Sequence, residues 1–227
     1  MTHPATPPPD PASGPGRRFR RADTARLEAF SDGVFAIAVT ILVLELKDPV
    51  HRPGGLAHAL AEQWPAYLGY LASFSYVGVI WLNHHQAFVR VRTVDRGMQG
   101  ANLLLLFTTA ALAFPTGVLS DALQESVTGD DARTAVALYA LVGAAMCVSW
   151  LLIYGHLRRR PALLDPAVEA DYVRHGQLRS AMGVAAYLLA ALIGWLFTPL
   201  AALAVFILLP IFYFVTSEGI PNLRPGR

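Results

Sequence analysis

The sequence predicts an all-α membrane protein with six transmembrane helices, and three observations carry that prediction. Of its 227 residues, 54% are hydrophobic and only 15% charged, where an ordinary soluble domain has about 25% charged residues. The apolar residues fall into six long runs, and about 20 helical residues at 1.5 Å each cross the roughly 30 Å hydrocarbon core of a bilayer. The basic residues are shared unequally between the two ends of those runs, as the positive-inside rule requires of a multi-pass protein.

Residues 1–25 open as a proline, alanine and glycine tract and close on Arg17, Arg18, Arg20 and Arg21. Such a segment buries no core and is expected to be a disordered cytoplasmic tail, its arginines close to anionic headgroups. It carries no short apolar core ahead of a cleavage site, so the first membrane helix is expected to act as its own insertion signal.

Arg26 to Leu46, RLEAFSDGVFAIAVTILVLEL, is the stretch around which the chain is organised. From Phe30 onward it is apolar except for Ser31, Asp32, Thr40 and Glu45. An ionised Asp32 this close to lipid costs about 3 kcal/mol or more unless protein or water solvates it. The segment is therefore expected to be the innermost helix of a bundle. At 100° per residue, Ile41, Leu44 and Phe30 lie within about 40° of Ile37, with Thr40 at about 60°. Ser31 and Asp32 fall about 120–140° from that stripe, so an apolar face and a polar anchor share one helix.

Lys47-Asp48-Pro49 ends the run, and Leu56 to Trp64 is expected to form a short interfacial helix after Pro53-Gly54-Gly55. The second span runs from about Pro65 to Phe88, with small residues Gly69, Ala72, Ser73, Ser75 and Gly78 that permit close helix contact. A basic turn with Arg90, Arg92 and Arg96 leads to the third, about Met98 to Leu119, which Pro115 is placed to kink. An acidic connector holding Asp121, Glu125, Asp130 and Asp131 follows, and reads either as a solvated loop or as a concentrator of cations. The fourth span covers about Thr134 to Leu157. A polar connector then leads through Arg179 to the fifth, Ser180 to Phe197, and Thr198-Pro199 turns directly into the sixth, Leu200 to Thr216.

Six spans put both termini on one side. That side receives fifteen of the eighteen Lys and Arg residues, all but Lys47, Arg52 and Arg133, and is therefore cytoplasmic. The six-helix domain is 26–216, and 217–227 is a C-terminal cytoplasmic tail. A net charge of +2 gives no reason to expect nucleic-acid binding. Cys147 is the only cysteine, so no intrachain disulfide forms.

Arg26-Leu27-Glu28-Ala29-Phe30-Ser31-Asp32, followed by an apolar run, resembles the prokaryotic transmembrane protein 175 family of potassium channels, in which an Arg-x-x-x-Phe-Ser-Asp signature opens the first of six helices. Trp81-Leu82-Asn83-His84-His85, and Asn102 to Phe107 with Phe114-Pro115, are similar to the same pattern; motif-level matching ends after the third span. The resemblance implies a homotetramer in the plasma membrane whose first helices surround a central pore. It implies that Ile37, Ile41 and Leu44 line that pore, with Thr40 the polar position beside them, and that K+ is the transported ion. Partners are then the other three subunits and membrane lipids, with no cofactor, no metal and no catalytic residue. The resemblance further implies that rings of aliphatic side chains, opening and closing by wetting, stand in place of a carbonyl filter; no Thr-Val-Gly-Tyr-Gly segment occurs in the sequence.

Two readings are open for Arg26, Phe30, Ser31 and Asp32. Ser31 and Asp32 meet donors on neighbouring helices, such as Trp81, His84, His85 or Asn102, or they form a cation site at the inner mouth. His84 and His85 are adjacent and point about 100° apart, which does not suit a helical metal pair. A cation- or proton-coupled secondary transporter is the alternative function, with Asp32 and a histidine as relay; against it stands the absence of a repeat between the two halves. An intramembrane enzyme would need a nucleophile motif or a second carboxylate placed to work with Asp32, and neither is evident.

Overall fold

The computed structural model describes the backbone of residues 15–216 and the side chains from 24 to 216 other than that of residue 170. The expected C-terminal tail and the first fourteen residues of the N-terminal one lie outside the described residues. Among the described residues eight α-helices follow one another: α1 (Pro15–Ile41), α2 (Leu56–Glu62), α3 (Trp64–Val89), α4 (Arg96–Ala110), α5 (Ala113–Glu125), α6 (Asp130–Arg159), α7 (Ala170–Leu196) and α8 (Pro199–Val215). A 3-10 segment, Leu42–Glu45, continues α1, and a second, Pro161–Leu163, follows α6.

Local chemistry sets the helix ends. Asp95 caps α4, its side chain accepting from the Met98 N–H at 2.9 Å, the usual way to satisfy an orphan donor of the first turn. Asp130 and Asp131 occupy the first turn of α6, and His156, Arg158 and Arg159 its last, each sign matched to the helix dipole. Pro199 opens α8 after an extended Thr198, where a missing N–H costs nothing. Gly54, at φ 85°, supplies the left-handed turn ahead of α2 that other residues adopt at a cost.

Among the described residues, five stretches are long and apolar enough to cross a membrane: Thr24–Glu45, Trp64–Val89, Arg96–Glu125, Asp130–Arg159 and Asp171–Leu196. Helix α8 is apolar but has 17 residues, about 25 Å of helix. The third stretch is broken between Ala110 and Ala113, not at Pro115. Proline has no N–H for the carbonyl four residues back, so the defect opens at Ala111 and not at the ring itself.

Several expected boundaries shift. Helix α1 begins at Pro15, so its backbone takes in the arginine cluster assigned to an unstructured tail; arginine and alanine are good helix formers and proline suits the first turn. Helix α7 begins at Ala170, well before Ser180, because its first turns are helical but polar and an apolar run marks only the later ones. Asp121 and Glu125 belong to α5 rather than to a loop.

The centre of the protomer is α6, which packs against α4, α5, α7 and α8. Its seam with α7 is built on glycines: a Cβ on Gly143 would lie 2.4 Å from the Tyr187 ring, and one on Gly176 would lie 2.4 Å from that of Tyr154. Tyr139, Tyr154, Tyr187 and Phe206 fill the space this opens, each 2% exposed or less. Buried hydroxyls pair across the bundle, Ser73 with Thr116 at 2.7 Å and with Tyr139 at 2.9 Å, as buried polar groups must. Helix α1 is thus peripheral in the protomer, packed on α3 and α4 with its 3-10 extension against α3 and α5. Within one protomer α1 has protein on one side only, and that is enough to solvate Ser31 and Asp32.

Candidate functional site

The two faces of α1 are sharply different. Outward lie Phe30, Ile37, Ile41 and Leu44, exposed by 55%, 60%, 42% and 72%. Thr40 is exposed among them, its hydroxyl donating to the Ile37 carbonyl at 2.8 Å. Inward lie Ser31, Phe35, Ala38 and Leu42, none more than 5% exposed. The stripe continues through Leu44 although that residue belongs to the 3-10 segment.

Behind the inner face, three fully buried polar side chains form a directional chain. His84 and Asn102 meet through Nε2 and Oδ1 at 2.8 Å. The Asn102 amide donates from Nδ2 to Ser31 Oγ at 2.9 Å, and Ser31 Oγ donates to the Leu27 carbonyl at 2.8 Å. With the amide nitrogen engaged by Ser31, its oxygen accepts, so Nε2 of His84 is the donor. The imidazole stacks on Phe88 at 4.1 Å and meets the edge of Phe35 at 5.2 Å. Helices α1, α3 and α4 are thereby joined at one level by hydrogen bonds inside an apolar wall.

Two further contacts reach the same end of α1. Trp81 Nε1 donates to Asp32 Oδ1 at 2.9 Å, and His85 Nδ1 lies 2.9 Å from Glu28 Oε1. Of the residues singled out in the sequence, Ser31, Asp32, Trp81, His84 and Asn102 gather in this cluster. His85 joins through Glu28, a partner marked in the sequence only by its place one helical turn before Asp32. Arg26 and Phe30 stay outside it: Arg26 is exposed with no side-chain partner among the described residues, and Phe30 lies at the end of the outward stripe.

The other end of α1 is pinned to α5. Glu45 sits so close to Gly117 that a Cβ there would lie 1.9 Å from Oε2, so only glycine admits the carboxylate. Lys47 pairs with Asp121 at 2.5 Å, and that hydrogen bond raises the lysine pKa above its usual value of 10.5. Asp121 is therefore an ion-pair partner as well as a surface acid. No group of three or more His, Cys, Asp or Glu residues that could hold a metal ion occurs among the described residues.

A family model described as endosomal/lysosomal potassium channel TMEM175 matches residues 26–112, the span holding most of α1, all of α2, α3 and α4, and every member of the buried chain. A potassium channel of Streptomyces collinus is 41% identical over 201 residues, covering 88% of this chain and 96% of that one. The chain belongs to the TMEM175 family. The crystal structure of a lysosomal potassium-selective channel TMEM175 homolog from Chamaesiphon minutus superposes with a TM-score of 0.75 at 32% identity, over 87% of this chain and 100% of that one. The human endosomal/lysosomal proton channel TMEM175 is 40% identical over 102 residues, 41% of this chain but 19% of the human one. Within the family, then, relatives bear names for both potassium and proton conduction.

Proposed function

We propose that this chain is the subunit of a passive potassium channel of the plasma membrane. Four copies, each crossing six times with α8 as the last span and both termini in the cytoplasm, place α1 around a common axis. Ile37, Ile41 and Leu44 then form stacked aliphatic rings, with Thr40 the polar position between them. The observation that carries this reading is the exposed branched-aliphatic stripe on a helix whose opposite face is locked by the Ser31–Asn102–His84 chain. A helix held rigidly on one side presents its other side at a defined radius, which a hydrophobic constriction requires.

Such a constriction has no backbone carbonyls to replace an ion's water. It shuts when the ring is too narrow to stay wet and conducts when it widens enough to hold hydrated or partly hydrated ions. Potassium sheds water more easily than sodium, which gives selectivity of the right sign. No covalent step is involved. Arg26 and Phe30 sit at the mouth, while Ser31 and Asp32 act as the anchor of the pore helix, together with Trp81, His84, His85 and Asn102.

The proton-coupled alternative draws on the name of the human relative and on the buried histidine. A proton wire needs stations that accept and donate on the same atom, as hydroxyls and imidazoles do in sequence. Here an amide stands between His84 and Ser31, accepting at oxygen and donating at nitrogen, and the chain ends on a carbonyl. It is built to hold, not to relay.

The test is flux from liposomes holding purified protein under a potassium gradient, with wild type beside Ile37→Asn and Ile37→Ala. Passive conduction gives potassium flux without stoichiometric proton countermovement, and a polar or smaller ring raises it about tenfold or alters K+ against Na+ preference, a barrier change of about 1.4 kcal/mol. Obligatory proton exchange, or indifference to both substitutions, overturns the reading.

A further inference from the structure

Where α4 begins and α6 ends, the two helices part to leave a groove of about 540 Å³. Its rim is basic: Arg96 opens α4, and Arg158 and Arg159 close α6. All three are exposed, and none has a side-chain hydrogen bond or ion pair among the described residues. Asp95, next to Arg96 in the chain, is already engaged by the Met98 N–H at 2.9 Å and by His156 Nε2 at 2.7 Å. Its carboxyl is held below the usual carboxylate range by that N–H and by His156. The floor is different in kind, with Leu104, Leu151 and Leu152 beside the small residues Gly100 and Ala101.

Spacing along the helices ties rim to floor. Leu104 lies about 12 Å along α4 from Arg96, and Leu152 about 10 Å along α6 from Arg159. A phosphodiester at the rim therefore leaves an acyl chain running over the leucines, with the arginines at the membrane–water boundary and the leucines within the hydrocarbon. Guanidinium groups bind phosphate oxygens through paired N–H donors, and basic grooves between membrane helices suit anionic headgroups. Inorganic phosphate would use the rim and leave the floor unfilled. A zwitterionic lipid would bring its own cation to a rim that already carries three.

We propose that this groove binds an anionic phospholipid, headgroup on Arg96, Arg158 and Arg159 and acyl chain on Leu104, Leu151 and Leu152. The site lies on the α4–α6 face, away from the outward stripe of α1, and its occupancy does not depend on which ion the protein conducts.

Native mass spectrometry of the purified full-length protein, titrated with phosphatidylglycerol and with phosphatidylcholine of the same acyl chains, tests it. Wild type is expected to hold phosphatidylglycerol at least tenfold more tightly. The double substitution Arg158→Gln and Arg159→Gln should bring its affinity down to that of phosphatidylcholine. Gly100→Leu fills the floor, where an added Cβ meets nothing within 4 Å, and should weaken phosphatidylglycerol several-fold with every arginine in place. Equal binding of the two lipids by wild type, or undiminished phosphatidylglycerol binding in both variants, overturns the proposal. So does arginine-dependent binding of inorganic phosphate that Gly100→Leu leaves unchanged, or a changed subunit count in Gly100→Leu without loss of lipid, which would assign the groove to a second copy of the chain.

Discussion

Helices α1 and α6 are both long and apolar, yet they have opposite places in the protomer. In the apolar part of Thr24–Glu45, 22% of the residues are buried, against 56% in that of Asp130–Arg159. Helix α6 meets protein on most of its surface, all but a stripe through Leu141, Val148 and Leu152, and accommodates it with small residues, Ala135, Ala140, Gly143 and Ala144. Helix α1 meets protein on one side, through one buried polar chain and two aromatic-lined contacts. The difference separates what holds the subunit together from what the subunit offers to its surroundings: packing density marks the first, and a polar lock behind an unpartnered aliphatic face marks the second.

The strongest way to break that comparison is to overfill the α6 seam. Gly143→Leu would drive a side chain into the Tyr187 ring, itself packed 5.7 Å from Tyr76 and 5.7 Å from Phe206. Overpacking of so tight a core costs about 3 kcal/mol or more, and thermal unfolding in detergent should show it as a large fall in midpoint. Gly78→Leu is the control, because a Cβ there meets nothing within 4 Å. Similar losses in the two variants would show that α3 is as crowded at Gly78 as α6 is at Gly143.

Next comes the lock behind α1. Asn102→Leu is close in volume but removes the acceptor of His84 and the donor to Ser31. A buried donor left without a partner costs about 1–3 kcal/mol. In a double-mutant cycle, Asn102→Leu with Ser31→Ala should cost less than the two separate changes added together, because the residues share one hydrogen bond. Strict additivity would remove Ser31 from the chain.

A smaller effect is expected at the start of α4, and it depends on pH. Asp95→Ala removes an N-cap worth about 1 kcal/mol and the contact with His156 near the end of α6. The folded-state pKa of Asp95 lies below 3.8. Its contribution is therefore complete above the unfolded value and disappears as pH falls through the folded one. Wild type and Asp95→Ala should differ in stability above the ordinary carboxylate range and converge as pH falls below it through the depressed folded-state pKa; a gap that persists unchanged into acid would mean the carboxylate charge plays no part.

How much of this was legible beforehand follows from the same contrast. Apolar runs marked the spans, since a bilayer demands length and hydropathy of each helix separately. The gathering of Ser31, Asp32, Trp81, His84 and Asn102 was legible as a need, because an intramembrane polar group must find a partner at its own depth. The pairings were not: Glu28 with His85, or Lys47 with Asp121, depends on how helices turn about their own axes. The central place of α6 was hidden too, because hydropathy does not say how many neighbours a helix has. Pro115 was legible as a defect, but the break it causes lies one turn earlier, where the carbonyl loses its donor.

The smallest expected effect is also the sharpest. Ile37→Asn lies two residues from Phe35, which is 2% exposed, while Ile37 itself is 60% exposed. If the outward face bears no part of the protomer's packing, this substitution should change stability by no more than about 0.5 kcal/mol, the ordinary range for a surface position. Phe35→Ala should cost about 3–5 kcal/mol. The same Ile37→Asn protein should show its largest change in ion flux, so that function and stability separate at neighbouring residues of one helix. A stability loss at Ile37 approaching that at Phe35 would mean that the stripe is buried against another subunit's core instead of lining a water-accessible axis. Its aliphatic character would then be explained by packing, leaving the constriction to be sought elsewhere on α1.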